Sequence, residues 1–402
     1  MPAVTPLIFG VVYLGLFMGG LPVLRLDRTG VALLGAIALL ASGSMSLAAA
    51  VGAVHVPTLS LLFAFMIVSA QLRLGGFYVR VADVVGALPL RAPIVLALMM
   101  STAALLSAVF SNDVVCLAMA PVLVDICRVR SLHSTPFLIG LACAANIGSA
   151  ATLIGNPQNM LIGQTLALSF GTYLRQAAGP VLLSLLLSWL VLLLAYRQRW
   201  HIAERPAIAY HAHHVFSRWQ SVKGLAVAGF LFAGFLASDW PHDLMALAGA
   251  GVLLLSRRLH SRDMLGQVDW LLLVLFTSLF VINRALQETG LPAQAVAFLV
   301  ARGLDPHAAG PLMVASVLLS NLISNVPAVM LLLPLTEGQA GGTRLALSST
   351  LAGNLILMGS IANLIVAEVA ARHGEPIGWT AHARIGIPVT LSSLAVMMFF
   401  LA

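Results

Sequence analysis

The chain has 402 residues, of which 60% are hydrophobic and 9% are charged, and its mean hydropathy is +1.00. A soluble domain usually has about a quarter of its residues charged, so this composition excludes a soluble globular protein. The formal net charge of +7 fits an excess of Lys and Arg in cytoplasmic loops and does not require a nucleic-acid partner. We therefore expect an all-α polytopic membrane protein.

Long apolar segments follow one another through the first half of the chain, and several approach or reach the ~20 residues with which an α-helix crosses a bilayer. They predict three spanning helices, a hydrophobic hairpin, an interrupted helix and a last spanning helix, at Leu7–Leu21, Val31–Ala50, Leu59–Leu72, Ala92–Ile126, Thr135–Leu168 and Ala177–Ala195. This division gives five spans and one re-entrant hairpin.

The second half repeats the pattern of the first. Thr58–Phe77 matches Leu272–Leu291 at an offset of 214 residues (272 − 58). Ser111-Asn112 falls on Ser324-Asn325 at an offset of 213 residues (324 − 111). Because five spans is an odd number, the second half must begin on the other side of the membrane. The sequence therefore predicts two inverted-topology repeats, each with one re-entrant hairpin and one broken helix.

A polar segment rich in Arg and His separates the repeats. It divides the chain into a first transmembrane repeat at residues 1–196, a linker at 197–220 and a second repeat at 221–402. His211, His213 and His214 lie in this linker without a nearby cysteine or carboxylate partner, so an exposed loop is favoured over a metal or pH-sensing cluster. The three cysteines lie in apolar segments without metal-ligand spacing, and we expect no metal cofactor there.

The distribution of basic residues predicts the orientation. With the N-terminus outside, 17 of the 21 Lys and Arg residues (21 − 4) fall on the cytoplasmic side, in agreement with the positive-inside rule. The four outside are Arg175, Arg284, Arg302 and Arg344. We therefore expect a multi-pass protein of the cell inner (plasma) membrane with both termini outside and the linker in the cytoplasm.

Polar residues interrupt the middle of each predicted hairpin. These are Ser107, Ser111 and Asn112 in the first repeat, with Ser324 and Asn325 at the matching place in the second. Backbone can leave a helix at membrane depth only where it faces protein or a water-filled cavity. The helix N-termini at such a break favour the binding of anions. The backbone carbonyl oxygens and the Ser and Asn side-chain oxygens at the break are suitable ligands for sodium. We predict a substrate and ion site, with Ser107, Asn112 and Asn325 as candidate sodium ligands.

A second pair of motifs lies downstream, where Gly155 and Asn159 match Gly359 and Asn363 with the same spacing. Asn156 precedes a proline, which is incompatible with a continuous helix at this point. We predict an unwound helix centre in each repeat, with these five residues in the binding site. Helix capping and small-residue helix packing are the alternative explanation for the Ser, Asn and Gly residues.

Asp113 is a carboxylate within an apolar segment, and its counterpart in the second repeat is the neutral Val326. An ionisable side chain at membrane depth is a functional candidate, so Asp113 is predicted to bind sodium or to carry a proton. Capping of the helix that follows is the alternative role.

These motifs resemble those of the ion transporter superfamily, in its citrate-transporter-like branch of arsenite-pump membrane subunits and sodium/proton antiporters. Divalent anion:sodium symporters are more distant relatives. The resemblance covers almost the whole chain and rests on residues 111–121, Ile154–Met160, Ser324–Pro327 and 353–364. It implies a homodimer in which a mobile part of each protomer moves substrate by an elevator-like displacement. It also implies that substrate and sodium are held by Ser111, Asn112, Ser324 and Asn325.

The chain departs from the symporter pattern after each Ser-Asn pair, where symporters usually have Thr and this chain has Asp113 and Val326. The carboxylate argues against a sodium-coupled dicarboxylate carrier. We predict a cation- or proton-coupled carrier of a small inorganic or organic anion, with Na⁺ or H⁺ as the coupling ion and no other cofactor. Sodium/proton exchange is the main alternative. A channel or a membrane-embedded enzyme is disfavoured, because the sequence has neither a pore-loop motif nor an HExxH or GxSxG motif.

Overall fold

The computed structural model describes residues 4–21, 24–197, 199–201 and 216–401. The linker histidines His211, His213 and His214 lie outside these ranges. In the first half the helices are α1 (Val4–Phe17), α2 (Arg28–Ala41), α3 (Leu47–Ala53), α4 (Val56–Leu74), α5 (Phe77–Gly86), α6 (Ala92–Val109), α7 (Asn112–Val129), α8 (Ser134–Ser149), α9 (Pro157–Thr165) and α10 (Phe170–Ala195). A two-residue ribbon, β1 (Gly20–Leu21) and β2 (Leu26–Asp27), joins α1 to α2.

The second half has the same order of helices. They are α11 (Arg218–Ala237), α12 (His242–Leu254), α13 (Ser261–Leu265), α14 (Trp270–Glu288), α15 (Leu291–Val300), α16 (Ala309–Ile323), α17 (Asn325–Leu332), α18 (Gly338–Ala352), α19 (Ile361–Arg372) and α20 (Trp379–Leu401). Helices α11 to α15 each begin 214 residues after α1 to α5, from 218 − 4 to 291 − 77. Helices α18 and α19 begin 204 residues after α8 and α9 (338 − 134 and 361 − 157).

The equivalent helices α4 and α14 run in opposite directions. His55 at the start of α4 lies 6.3 Å from Phe280, just past the middle of α14, measured between ring centroids. Phe63, further along α4, lies 6.0 Å from Trp270 at the start of α14. Since the residue numbers rise along one helix as they fall along the other, the two helices are antiparallel. This geometry confirms the predicted inverted repeat.

The helices form two groups. In the scaffold group, α1–α4 and α11–α14, helix α4 packs along α12 and helix α14 packs along α2. In the hairpin group, α6–α10 and α16–α20, each hairpin packs on the broken helix of its own repeat, and α10 packs along α20. Helix α5 lies between α4 and α7, and α15 follows α14, so these two short helices connect the groups. In the described part of the chain, six helices are long and apolar enough to cross a membrane, and shorter apolar helices accompany them.

One predicted span is wrong. The segment Val31–Ala50 is not a single helix, because α2 ends at Ala41 and α3 begins at Leu47. Gly43 between them has a φ of +68°, and the Ser46 side chain caps α3 by accepting from the Ala49 N–H at 3.1 Å. A left-handed glycine followed by a serine cap ends one helix and starts another. Helix α5 was not predicted at all, and α11 begins within the segment that we assigned to the linker.

Candidate substrate and ion site

The tip of the first hairpin is an extended break between α6 and α7. Phe110 and Ser111 have φ values of −117° and −56° with ψ values of 161° and 128°. Asn112, the first residue of α7, is buried, and its Nδ2 donates to Asn146 Oδ1 at 3.0 Å. Within the described residues, Asn112 Oδ1 and Ser107 Oγ are buried without a hydrogen-bond partner. The tip therefore presents two unpaired oxygens.

The tip of the second hairpin is tighter, because a single residue separates α16 from α17. Ser324 has a φ of +79° and a ψ of 157°, a conformation that is strained for any residue other than glycine. Asn325 begins α17, and its Oδ1 is buried without a partner in the described ranges, as is Ser320 Oγ. The neighbouring Asn321 donates from Nδ2 to the carbonyl of Ala352 at 3.0 Å. Backbone strain of this kind is typical of functional sites.

The unpaired oxygens are related by the repeat. Ser320 follows Ser107 by 213 residues (320 − 107), and Asn325 follows Asn112 by the same number (325 − 112). A buried polar atom without a partner costs about 1–3 kcal/mol, and oxygens are the ligands that hard cations prefer. The structure thus places one serine oxygen and one asparagine oxygen at each tip. Serine and asparagine are the residue types that we predicted as sodium ligands. Sodium binding stays a prediction, and sequence reasoning left Ser320 out.

The predicted interruption between α8 and α9 is present at residues 150–156. Asn156 Oδ1 accepts from the Asn159 N–H at 2.9 Å and so caps α9. Asn159 Nδ2 donates to the carbonyl of Thr152 at 3.0 Å and to the Tyr173 hydroxyl at 3.1 Å. Both asparagines are almost fully buried, and their amides hold the unwound segment in place.

The second interruption, at residues 353–360 between α18 and α19, has the same construction. Asn363 Nδ2 donates to the carbonyls of Gly353 at 2.8 Å and Ile356 at 3.3 Å. Ser360 caps α19 by accepting from the Ala362 N–H at 3.2 Å. Gly359 lies in a 3-10 turn, Leu357–Gly359. Both unwound centres were predicted, the second one only through its match to the first.

Two residues that sequence reasoning missed connect the breaks crosswise. Asn146 in α8 donates from Nδ2 to Asn354 Oδ1 at 2.9 Å and to Asn363 Oδ1 at 3.0 Å, and it accepts from Ser360 Oγ at 2.9 Å. Thr350 lies 204 residues later (350 − 146) in α18. The Thr350 hydroxyl is hydrogen-bonded, at 3.2 Å in each case, to the side chains of Asn156, Gln158 and Asn159. Asn146 and Thr350 therefore each contact the broken helix of the opposite repeat.

Glycines let each hairpin lie directly on a break. A Cβ added at Gly359 would lie 2.5 Å from Asn321 Oδ1, and one added at Gly155 would lie 2.8 Å from the Ser107 carbonyl oxygen. Both distances are below 3.0 Å, so a carbon atom at either position would have to displace its neighbour. The structure thus brings together, in each repeat, the hairpin motif and the unwound motif that were predicted separately.

Asp113 lies next to the first tip, as the second residue of α7, and it is half-buried. A carboxylate in the first turn of a helix interacts favourably with the helix dipole. Its counterpart Val326 is buried. The position therefore distinguishes the two repeats at the site itself. The predicted capping role is wrong, because Ser111 occupies the N-cap position of α7 and Asp113 lies inside the helix; sodium or proton binding stays a prediction.

A crevice of about 730 Å³ separates the scaffold group from the hairpin group. Its walls include His55 and Phe280 on the scaffold side and Leu166 and Met330 on the hairpin side. Asn283 also lines it; its Oδ1 accepts from the Tyr13 hydroxyl at 2.9 Å, and its Nδ2 is buried without a partner among the residues that the structure describes. This crevice was not predicted from the sequence.

Comparisons with known proteins agree with this architecture. An uncharacterized transporter of Mycobacterium tuberculosis is 32% identical over 366 residues, covering 85% of this chain and 84% of its own length. The silicon efflux transporter LSI3 of Oryza sativa subsp. japonica is 29% identical, covering 96% and 95%. The inner membrane protein YbiR of Escherichia coli is 31% identical, covering 73% of each.

A solved structure supports the fold independently. The YdaH transporter of Alcanivorax borkumensis, whose crystal structure is described as revealing an unusual topology, superposes with a TM-score of 0.56. The match covers 88% of this chain and 86% of that one at 16% identity, so the likeness is one of fold. The sequence model of the citrate transporter family (CitMHS) matches residues 13–345 of this chain. The chain therefore belongs to the citrate transporter family, and it is a multi-pass membrane transporter.

Proposed function

We propose that this protein is a secondary active transporter that couples the movement of a small inorganic or organic anion to Na⁺ or H⁺. The observation that carries the proposal is the repeat-related set of buried, unpaired oxygens at the two hairpin tips: within the described residues they are Ser107 Oγ, Asn112 Oδ1, Ser320 Oγ and Asn325 Oδ1. A cation bound there would satisfy oxygens that the protein leaves without donors. Its charge would then favour an anion close by.

The surroundings of the tips favour an oxyacid of low charge. Helices α7, α9, α17 and α19 all begin at the breaks, and helix N-termini attract anions. Asn354 Nδ2 is an additional buried donor with no partner in the described chain. The residues at the tips and breaks include no Lys or Arg, so hydrogen bonds rather than ion pairs would hold the substrate. A relative named for silicon efflux fits an oxyacid of low charge. The family named for citrate fits an oxygen-rich acid but does not bear on its charge.

We further propose that the hairpin group moves relative to the scaffold group in an elevator-like displacement. The crevice between the groups and the short connecting helices α5 and α15 support such a movement. By resemblance, two copies would associate through their scaffold groups. The orientation, with both termini outside the inner membrane, is supported by the basic residues at the open end of the first hairpin, Arg91, Arg128 and Arg130.

Asp113 supports one alternative function, sodium/proton exchange without a substrate anion. A carboxylate beside the tip can hold either a proton or a sodium ion, and competition between the two would couple their opposite movements. The equivalent Val326 cannot do so. This alternative keeps the same site and the same movement, but it makes the anion unnecessary.

One reconstitution experiment tests both functions. Luminal pH and sodium are followed in proteoliposomes under an imposed sodium gradient, with and without arsenite, sulfate, silicic acid, citrate or a dicarboxylate. Movement that requires one anion supports coupled anion transport and identifies the substrate; proton movement driven by sodium alone supports exchange. Asp113→Asn and Asn325→Ala are expected to lower the flux. Parent-like flux in both correctly inserted variants would refute the proposed site.

Ser184→Ala is the matched control. Ser184 is a buried serine of α10 whose Oγ has no hydrogen-bond partner in the described part of the chain, and it belongs to neither tip nor break. Removing this hydroxyl leaves no other group unsatisfied. The control variant should therefore transport like the parent.

A further inference from the structure

The last helix of each repeat makes the same hydrogen bond through a different side chain. Tyr173 and His382 are the fourth residues of α10 and α20, 209 residues apart (382 − 173). The Tyr173 hydroxyl donates to the carbonyl of Ala150 at 2.8 Å. His382 Nε2 lies 3.2 Å from the carbonyl of Asn354, which is the equivalent residue in the second break (354 − 150 = 204).

The replacement of a phenol by an imidazole introduces a titratable group. A tyrosine hydroxyl stays neutral across physiological pH, whereas an ordinary imidazole changes its charge between about pH 5 and pH 8. Contact with a carbonyl oxygen requires a hydrogen on His382 Nε2, because two acceptors would repel each other. Nδ1 is then the ring atom that can gain or lose a proton.

His382 is connected to the candidate site through one residue. It is 1% exposed, and the Asn354 whose carbonyl it contacts also accepts from Asn146 Nδ2 at 2.9 Å through its side chain. Asn354 Nδ2 has no partner among the described residues. A substrate oxygen that accepts from this free amide would therefore lie close to the imidazole.

The ionisable groups on the helices packed against α20 are engaged elsewhere or carry no charge. Arg344 binds the Leu401 carbonyl at the far end of α20, and the Arg175 guanidinium donates to Thr172. Tyr173 is occupied at the first break, and Cys143 is a buried free thiol. On α20 itself Arg384 lies two residues beyond His382, and the segment before α20 contributes the remaining two groups, His373 and Glu375.

We propose that His382 is the residue that binds and releases the proton during the transport cycle. This inference rests on the proposed function and specifies its coupling ion. An anion at the free Asn354 amide attracts positive charge, and in a site of low dielectric it stabilises the imidazolium. The proton enters from one side onto Nδ1, crosses with the anion and leaves Nδ1 on the other side. Since the first repeat has Tyr173 at this place, there is one such proton site in each protomer.

The test compares the parent with His382→Tyr, which places the first repeat's own side chain in the second, and with His382→Gln. Uptake of the anion found by reconstitution is measured together with luminal pH. The parent should move protons with the anion, and both variants should lose that proton movement while anion counterflow falls far less. His260→Gln, at an exposed histidine of the N-terminus of α13, should behave as the parent. Proton movement per anion that equals the parent's in His382→Tyr would overturn the proposal.

A second measurement does not depend on a substrate. The unfolding temperature of the purified protein is followed between about pH 5 and pH 8, where imidazoles titrate, for the parent and for His382→Tyr. If the folded protein holds a proton at His382, the parent gains stability relative to His382→Tyr as the pH falls through this range. If His382 stays neutral in the folded protein, the parent instead loses stability relative to the variant, and that result would overturn the proposal. Absence of any flux in a parent that gains stability at low pH relative to His382→Tyr would refute the proposed function and leave the proton site standing.

Discussion

Asn146 and Thr350 occupy equivalent positions in α8 and α18, and the side chain of each is hydrogen-bonded to the broken helix of the opposite repeat. The unwound segment of either repeat is therefore fixed by a helix of the other. Neither break can change its conformation without breaking hydrogen bonds to the opposite repeat. This reciprocal arrangement makes the two breaks a single unit, which is what a shared binding site requires.

Replacing Asn146 should damage both stability and transport. Asn146→Ala removes the hydrogen-bond partner of Asn112 Nδ2, Asn354 Oδ1, Asn363 Oδ1 and the Ser360 hydroxyl proton, and each unsatisfied group costs about 1–3 kcal/mol. We expect a lower unfolding temperature and a flux reduced about tenfold or more, because 1.4 kcal/mol corresponds to a factor of ten. Thr350→Val should act in the same direction through the first break.

The reciprocal arrangement also predicts how the two substitutions combine. Flux and unfolding temperature are measured for both single variants and for the double variant. Since the two residues share a connected network, the combined effect should be smaller than the sum of the single effects. Strict additivity would show that the two breaks respond independently. Ser188→Ala, at a buried α10 serine whose Oγ has no partner in the described ranges, is the neutral control.

The contact between hairpin and break can be tested with one methyl group. Gly359→Ala places a carbon 2.5 Å from Asn321 Oδ1, so the second hairpin must shift away from the break. Flux should fall strongly while the variant still inserts and elutes as a single species in gel filtration. Gly251→Ala is the control variant. Its new methyl group meets no described atom within 4 Å, and alanine stabilises a helix by about 1 kcal/mol relative to glycine. Equal flux in the two variants would argue against the contact.

Ser324 provides a test of strain at the second tip. Its φ of +79° costs about 1–3 kcal/mol for a residue with a side chain. Ser324→Gly should therefore raise the unfolding temperature, whereas Ser324→Ala, which keeps the Cβ and loses the hydroxyl, should not. If the strain is part of the mechanism, the stabilised glycine variant will transport more slowly. An unfolding temperature that does not rise in Ser324→Gly would show that the tip is relaxed.

The sequence predicts the breaks better than the residues that hold them. Pro157 has no N–H and restricts Asn156, so the first break can be recognised locally. The second has no proline, and only the repeated glycine and asparagine spacing indicates it. Asn146 and Thr350 lie in segments that look like ordinary helix, and their importance depends on partners about two hundred residues away. His382 has no local signal either, because its role appears only when α20 is aligned with α10.

The division of the second predicted span could have been found. Ser42, Gly43 and Ser44 form a short polar sequence inside an apolar one, and such clusters mark turns. Hydropathy alone did not separate α2 from α3, since alanines continue on both sides. We predicted the scaffold helices from hydropathy averaged over long segments. The turn between α2 and α3 depends on single residues, and such an average does not show their effect.

The orientation of the chain can be tested by labelling. Gln287 is exposed in the crevice near the end of α14, and Arg91 is exposed at the open end of the first hairpin. A membrane-impermeant maleimide should label Gln287→Cys in intact cells, and it should label Arg91→Cys only after permeabilisation. The native Cys116, Cys127 and Cys143 are buried and should give little background. Labelling of Arg91→Cys in intact cells would reverse the assigned orientation.

The short scaffold helices affect the lipid around the protein. Helices α1 and α2 have 14 residues each, which corresponds to a length of about 21 Å, whereas a typical hydrocarbon core is about 30 Å thick. Helix α10 has 26 residues, or about 39 Å. A helix shorter than the hydrocarbon core is matched by local thinning of the bilayer, by flanking side chains that reach the interface or by association with another chain, and a longer helix is matched by tilting. Acyl-chain length is thus a mechanical variable for this protein, and lipids with longer chains increase the mismatch at α1 and α2.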